Sequence, residues 1–159
     1  MSVKKSKAAG LVRKRILIVD DHPMTRYGMA QLLRRERDLV VCGEAENGRR
    51  ALATMKLLKP DLVLTDLTMP GQHGLDFVKD MRALYPDVPA LVVSMHDEAL
   101  YAERVLKAGG RGYVMKYAGG KELLTAIRRV LGGQIYLSDA MAEKALNVFP
   151  SGAPWRWTR

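Results

Sequence analysis

The sequence predicts an α/β fold: a doubly wound parallel sheet with helices on both faces, followed by a short helical extension. Three observations carry this. Five short apolar runs alternate with five amphipathic stretches, at roughly 25 residues per unit, which is the scale of a βαβ crossover. The runs are continuously apolar, as in strands covered on both faces. Polar and acidic residues stand where the runs stop, so one edge of the sheet would gather them.

Residues 1–14 read as a basic disordered tail. The first strand runs from Arg15 to Val19 and ends in Asp20-Asp21. His22-Pro23 follows, and Pro suits the first turn of a helix. That helix carries Met24, Tyr27, Met29, Ala30, Leu32 and Leu33, and ends near Arg35. Asp38 to Glu44 is the second strand, with the single Cys42 as a small core residue. Asn47-Gly48 turns into a helix with Ala51, Leu52, Met55 and Leu58 at helical spacing. Pro60 stops it, and Asp61-Leu62-Val63-Leu64-Thr65-Asp66 is a buried strand that delivers Asp66 to its end. A Gly-containing loop, Pro70 to Gly74, leads to a helix with Leu75, Val78, Met81 and Leu84. Ala90 to Ser94 is the fourth strand. A helix from about Asp97 to Ala108 carries Leu100, Val105 and Leu106, and Gly109-Gly110 closes it. Gly112 to Met115 is a short fifth strand ending at Lys116. The fifth helix, about Gly120 to Leu131, has a stripe of Leu123, Leu124, Ile127, Val130 and Leu131. Beyond Gly133 come an extended Gln134–Leu137, a Ser138-Asp139 helix start and a weak helix through Phe149. A Pro/Gly linker composition and a tail with both tryptophans, Trp155 and Trp157, complete the chain. The domain division is therefore 1–14, 15–133 and 134–159.

Charge narrows the function classes. The formal net charge is +9, which suggests nucleic acid at first sight. Residues 1–15 hold six of the basic residues and residues 151–159 two more. Removing those eight from the 26 leaves 18 against all 17 acids, so the body is about neutral. Tails of this kind are usually solvated arms, and contact with nucleic acid through them would be sequence-independent. One cysteine permits no internal disulfide, which fits a reducing compartment. The apolar run Ile16–Val19 stops too soon for a signal peptide, and no stretch reaches the ~18–20 apolar residues of a membrane span. A soluble, cytoplasmic protein without membrane contact is expected.

The strand ends deliver Asp20 and Asp21, Asp66, Ser94 and Lys116 to one edge. Singly each has a plain structural reading: a helix cap, a strand end, a surface lysine. Together they are a chemical arrangement. Three close carboxylates repel unless a cation compensates, and oxygen donors suit Mg²⁺. A carboxylate-held cation beside a lysine and a hydroxyl is suited to phosphoryl transfer, with Asp66 as nucleophile. His22 and His73 read as exposed loop residues.

The stretches Ile-Leu-Ile-Val-Asp20-Asp21-His-Pro, Asp61-Leu-Val-Leu-Thr-Asp66-Leu-Thr-Met-Pro-Gly71, Leu-Val-Val-Ser94 and Gly112-Tyr-Val-Met-Lys116 resemble a response-regulator receiver domain, over about residues 14 to 132. The resemblance implies a flavodoxin-like (βα)5 sheet in the order 2-1-3-4-5. It implies that Asp66 accepts a phosphoryl group from a sensor histidine kinase or a phosphotransfer protein. It implies Mg²⁺ held by Asp20, Asp21, Asp66 and the backbone carbonyl of Thr68. Lys116 would pair with the phosphoryl oxygens, Ser94 would turn toward them and Tyr113 would rotate inward behind it. Asp-Asp-His-Pro and Gly132-Gly-Gln-Ile-Tyr-Leu-Ser138 are similar to the NarL/LuxR type of transcriptional regulator, which implies a homodimer formed on phosphorylation and DNA binding through an output domain. No helices for such a domain follow Pro154 in this sequence, so DNA contact is expected only through an absent part. Three other readings remain. A stand-alone receiver would act by protein contact. An Mg²⁺-dependent phosphohydrolase would need an acid/base carboxylate two residues after Asp66, where Thr68 stands. Direct DNA binding would rest on the tails alone.

Overall fold

The computed structural model describes residues 12–68 and 73–148, with side chains as far as Lys144. The expected basic tail up to Leu11, Met69–Gln72 of the loop and the tryptophan tail lie outside the described residues. Five parallel strands form one sheet in the order β2-β1-β3-β4-β5, where β1 is Lys14–Val19, β2 Leu39–Ala45, β3 Leu62–Thr65, β4 Ala90–Ser94 and β5 Gly112–Met115. The helices are α1 Pro23–Arg34, α2 Gly48–Leu58, α3 Gly74–Leu84, α4 Glu98–Ala108, α5 Gly120–Leu131 and α6 Asp139–Val148. The chain thus has the flavodoxin-like order expected of it. β1 starts one residue earlier than expected, because the Lys14 N–H donates to Asp38 O at 2.8 Å.

Side chains alternate across the sheet and build one core on each face. Leu17, Val19, Val63 and Val92 face α2, α3 and α4, where Met55, Phe77 and Val105 cover them. Ile16, Ile18, Leu64 and Leu91 face α1 and α5, with Leu33 and Ile127 against them. The helix faces differ in places from the sequence reading. Met24 is 80% and Tyr27 59% exposed, and Leu84 and Leu100 also lie on the surface. Met29, Ala30 and Leu33 of the same reading are buried, and Phe77 and Ala102, which it did not name, occupy inner positions as well. Cys42 is half-buried on the edge strand rather than fully in the core.

Two glycines are required by the geometry. A Cβ on Gly74 would meet Asp66 O and Leu67 Cα, both at 2.5 Å. Only Gly lets the start of α3 press against the backbone just after β3. Gly109 closes α4 at φ +106°, in the left-handed region.

Register aligns the strand ends. Val19 pairs with Thr65, and Ser94 with Met115. Asp20, Asp66, Ser94 and Lys116 therefore come together beyond one edge, where the connections leave β1 and β3 for opposite faces.

Candidate functional site

Asp20 and Asp66 leave adjacent strands side by side. The Asp66 N–H donates to Val19 O at 3.1 Å and the Asp20 N–H to Ala45 O at 3.0 Å, so both backbones are still paired at the exit. Asp20 is fully buried and Asp66 nearly so. Lys116 bridges them, its Nζ lying 2.8 Å from Asp20 Oδ2 and 3.0 Å from Asp66 Oδ2. The other Asp66 oxygen, Oδ1, accepts from the Leu67 N–H at 2.7 Å. Burial works to lower the Lys116 pKa, but its hydrogen bonds to the two aspartates and their charges outweigh this and hold it above its ordinary value. Lys116 is thus a fixed cation across any ordinary pH.

His22 is an exposed loop residue, as expected, and its inner edge also touches the cluster. Its N–H donates to Asp20 Oδ1 at 2.8 Å, and its Nδ1 lies 2.9 Å from the same oxygen. Nδ1 is also 3.0 Å from Asp21 Oδ1. The helix-cap reading of Asp20-Asp21 does not hold: His22 is the N-cap of α1, Pro23 begins the helix, and there is no side-chain cap bond. The main chain at Asp20 is clamped by Arg26, whose Nη1 donates to Asp20 O.

Two buried oxygens of this cluster are thinly served: Asp20 Oδ2 has only the Lys116 ammonium at 2.8 Å, and Asp21 Oδ1 only the His22 Nδ1 at 3.0 Å. Oxygen or nitrogen atoms of Asp20, Asp21, His22 and Asp66 all lie within 4.8 Å of one another. Hard carboxylate oxygens that converge in this way fit a divalent cation such as Mg²⁺. The Thr68 carbonyl belongs to the same loop, directly after Leu67.

Ser94 is fully buried at the end of β4, and its Oγ accepts from the His96 N–H at 3.1 Å. Tyr113 is inward in this structure, 1% exposed, and its hydroxyl donates to His96 O at 2.6 Å. Burial pushes its pKa up to about 12. The His96 ring shares a 2.5 Å hydrogen bond with the Thr68 hydroxyl and packs on Tyr101, with ring centroids 5.0 Å apart. His96 thereby ties the loop after β3 to the loop after β4. The sequence reading missed it, although its place two residues beyond the end of a strand was a usable signal. His73 lies apart from the cluster and caps α3, its Nδ1 accepting from the Leu75 N–H at 3.3 Å. Every predicted side chain of the site thus reaches the one sheet edge, with His22 added and His73 left out.

Comparison with known proteins gives a consistent result. Residues 16–128 match the response regulator receiver domain. The chain is 38% identical over 130 residues to the response regulator GacA of Pseudomonas viridiflava, covering 82% of this chain and 61% of that protein. It is 38% identical over 128 residues to the nitrate/nitrite response regulator NarL of Escherichia coli strain K12, covering 79% of this chain and 58% of that protein. The chain therefore spans about three fifths of the length of these curated relatives. Among solved structures it resembles a LuxR-family two-component response regulator from Aurantimonas sp. SI85-9A1, with a TM-score of 0.79 and 31% identity over 87% of this chain and 99% of that one. It also resembles the signal receiver domain of the NarL regulator of Mycobacterium tuberculosis, with a TM-score of 0.73 and 30% identity over 77% of this chain and 99% of that one.

Proposed function

The chain belongs to the response regulator receiver family, and on that premise we propose that Asp66 takes a phosphoryl group from a phosphohistidine on a sensor kinase or a phosphotransfer protein. The observation that carries the proposal is the Asp66–Lys116–Asp20 bridge at a buried strand edge, within a cluster where oxygens of Asp20, Asp21 and Asp66 converge. A carboxylate oxygen of Asp66 forms the new P–O bond as the P–N bond breaks and the imidazole leaves. Lys116, fixed by two carboxylates, offers its charge to the oxygens of the transferred group. Ser94 Oγ, which accepts from the His96 N–H, would donate its own hydrogen to a phosphoryl oxygen. Asp20, Asp21, Asp66 and the Thr68 carbonyl would hold Mg²⁺, which when bound neutralises charge developing on the transferring group.

The product, an acyl phosphate, carries about −1.5 to −2 charge where the carboxylate carried −1, and pushes that charge further beyond the edge. That charge biases the loop after β4 and the start of α4, a two-state change read by an output partner. Similarity to the transcriptional regulatory protein DegU of Brevibacillus brevis supports transcription as the output, through an output domain outside residues 1–159. The alternative is a receiver that acts by protein contact alone.

Intact mass after incubation with Mg²⁺ and acetyl phosphate tests the acceptor. One phosphoryl group is expected on the parent chain, none on Asp66→Asn and none with chelator present. A phosphoryl group on Asp66→Asn would place the acceptor elsewhere.

A further inference from the structure

The resemblance assigns Asp20, Asp21, Asp66 and the Thr68 carbonyl to a cation. The structure sets one more donor among them. His22 Nδ1 lies 2.9 Å from Asp20 Oδ1, 3.0 Å from Asp21 Oδ1 and 4.0 Å from Asp66 Oδ2. These are the spacings of ligands around a single ion. In an octahedron with bonds of about 2.0–2.1 Å, neighbouring donors stand about 3 Å apart and opposite donors about 4.2 Å apart. Asp20 and Asp21 have the neighbouring distance from His22, and Asp66 is close to the opposite one. A hydrogen bond does not explain all three contacts, because Nδ1 carries at most one hydrogen, directed in the plane of the ring.

The main chain holds the imidazole in this place. His22 is extended, and Pro23 begins α1 directly after it. The His22 N–H donates to Asp20 Oδ1 at 2.8 Å. That bond uses one lone pair of the oxygen and leaves another for an ion. Lys116 takes the other Asp20 oxygen, Oδ2. The ring has no capping duty at the start of α1. The other histidines are engaged elsewhere: His73 Nδ1 accepts from the Leu75 N–H, and the His96 ring bonds the Thr68 hydroxyl.

Mg²⁺ prefers oxygen donors and gives up its waters reluctantly, so a nitrogen offers it little. Imidazole suits the later first-row ions, whose affinity for such sites rises along the series. We infer that His22 Nδ1 is a direct ligand of this site for first-row transition ions such as Co²⁺ and stands aside for Mg²⁺, so that His22 sets which divalent ion the acidic cluster prefers; this rests on the reading of the cluster as the cation site beside Asp66.

The test is calorimetric titration of the full chain with Mg²⁺ and, separately, with Co²⁺, for the parent, His22→Ala and His22→Gln. Loss of even an outer partner of a bound metal costs roughly tenfold in affinity. The preference for Co²⁺ over Mg²⁺, taken as the ratio of the two Kd values, should fall by at least that factor in both variants and stay as it was in His73→Ala. Glutamine keeps a polar side chain of similar reach, and Tm checks the fold of each variant. Proton NMR of the Co²⁺ form supplies a signature that a merely structural role would not move. Of the chain's three histidines, the His22 ring should show signals far outside the diamagnetic range, lost in His22→Gln. A ratio that does not move in either variant, or a Co²⁺ form without such a ring, overturns the inference and leaves His22 a charge partner of the aspartates. Intact mass after incubation with Mg²⁺ and acetyl phosphate separates that failure from failure of the acceptor reading. A parent that gains a phosphoryl group while the ratio does not move keeps Asp66 as acceptor. A parent that gains none while the ratio falls unseats Asp66 and leaves His22 as a ligand.

Discussion

Asp21 sits in the cluster with one oxygen buried and no hydrogen bond, close to two other carboxylates. Losing that charge removes repulsion that Lys116 and the nearby His22 Nδ1 offset only in part. Asp21→Asn should therefore raise the stability of the metal-free protein by about 1 kcal/mol, within the usual range for an unsatisfied buried polar group. It should also abolish the rise in Tm that Mg²⁺ gives the parent by mass action. Thermal melts in chelator and in Mg²⁺ measure both effects, and a parent chain indifferent to Mg²⁺ would count against a metal at this site. The phenols offer a second residue-scale check. Burial pushes both Tyr113 and Tyr136 up to about 12, and the hydrogen bond to Glu122 adds to it at Tyr136. A raised folded-state value means that the native protein keeps these protons longer than the unfolded chain does. Their contribution to stability is present below about pH 10 and is lost as the pH climbs from about 10 toward 12. Absorbance titration of tyrosinate should show late-ionising phenols, one of them lost in Tyr113→Phe and one in Tyr136→Phe.

At the level of elements, the turn from β3 into α3 is the most tightly specified. Gly74→Ala forces a methyl group into the Asp66 carbonyl and the Leu67 Cα. Overpacking of that kind costs about 1–3 kcal/mol, and here the backbone that must move carries Asp66. Phosphorylation read by intact mass should fall together with Tm. The N-cap of α2 provides the contrast. Asn47 Oδ1 accepts from the Arg50 N–H at 2.9 Å, far from the site. Asn47→Ala should cost about 1 kcal/mol and leave phosphorylation of Asp66 as it was. Arg128 joins α5 to the turn before β2 through Glu36 and Asp38, with contacts of 2.6 and 3.0 Å. Its hydrogen bonds to Asp38 and Glu36 push the guanidinium pKa up and lower that of Asp38. These groups are largely exposed, so solvent screening limits the pair to less than about 1 kcal/mol.

For the molecule as a whole, sheet order and site edge were legible because buried parallel strands announce themselves as continuous apolar runs and place their ends together. Asp66, Asp20 and Lys116 could be read from strand termini alone. Helix faces were read less well. Periodicity marks Met24, Leu84 and Leu100 as inward, but each lies at or near a helix end and is exposed, while Met29, Met81 and Ala102 face the sheet. His22 and His96 escaped because their partners come from other loops, and sequence spacing says nothing of a ring reaching across a sheet edge. Gln134–Leu137 read only as extended, since a single bridge leaves no periodic trace.

That bridge bears on how the protein behaves at high concentration. β5 is an outer strand, and a row of unpaired amides on such a strand invites a second molecule to add its own. Tyr136 occupies the row at Gly112 and Tyr113. A version cut after Gly133 would leave it bare, and light scattering should show such a version self-associating at concentrations where the longer chain stays monodisperse. The tether that follows the last crossover helix is then a built-in guard against aggregation.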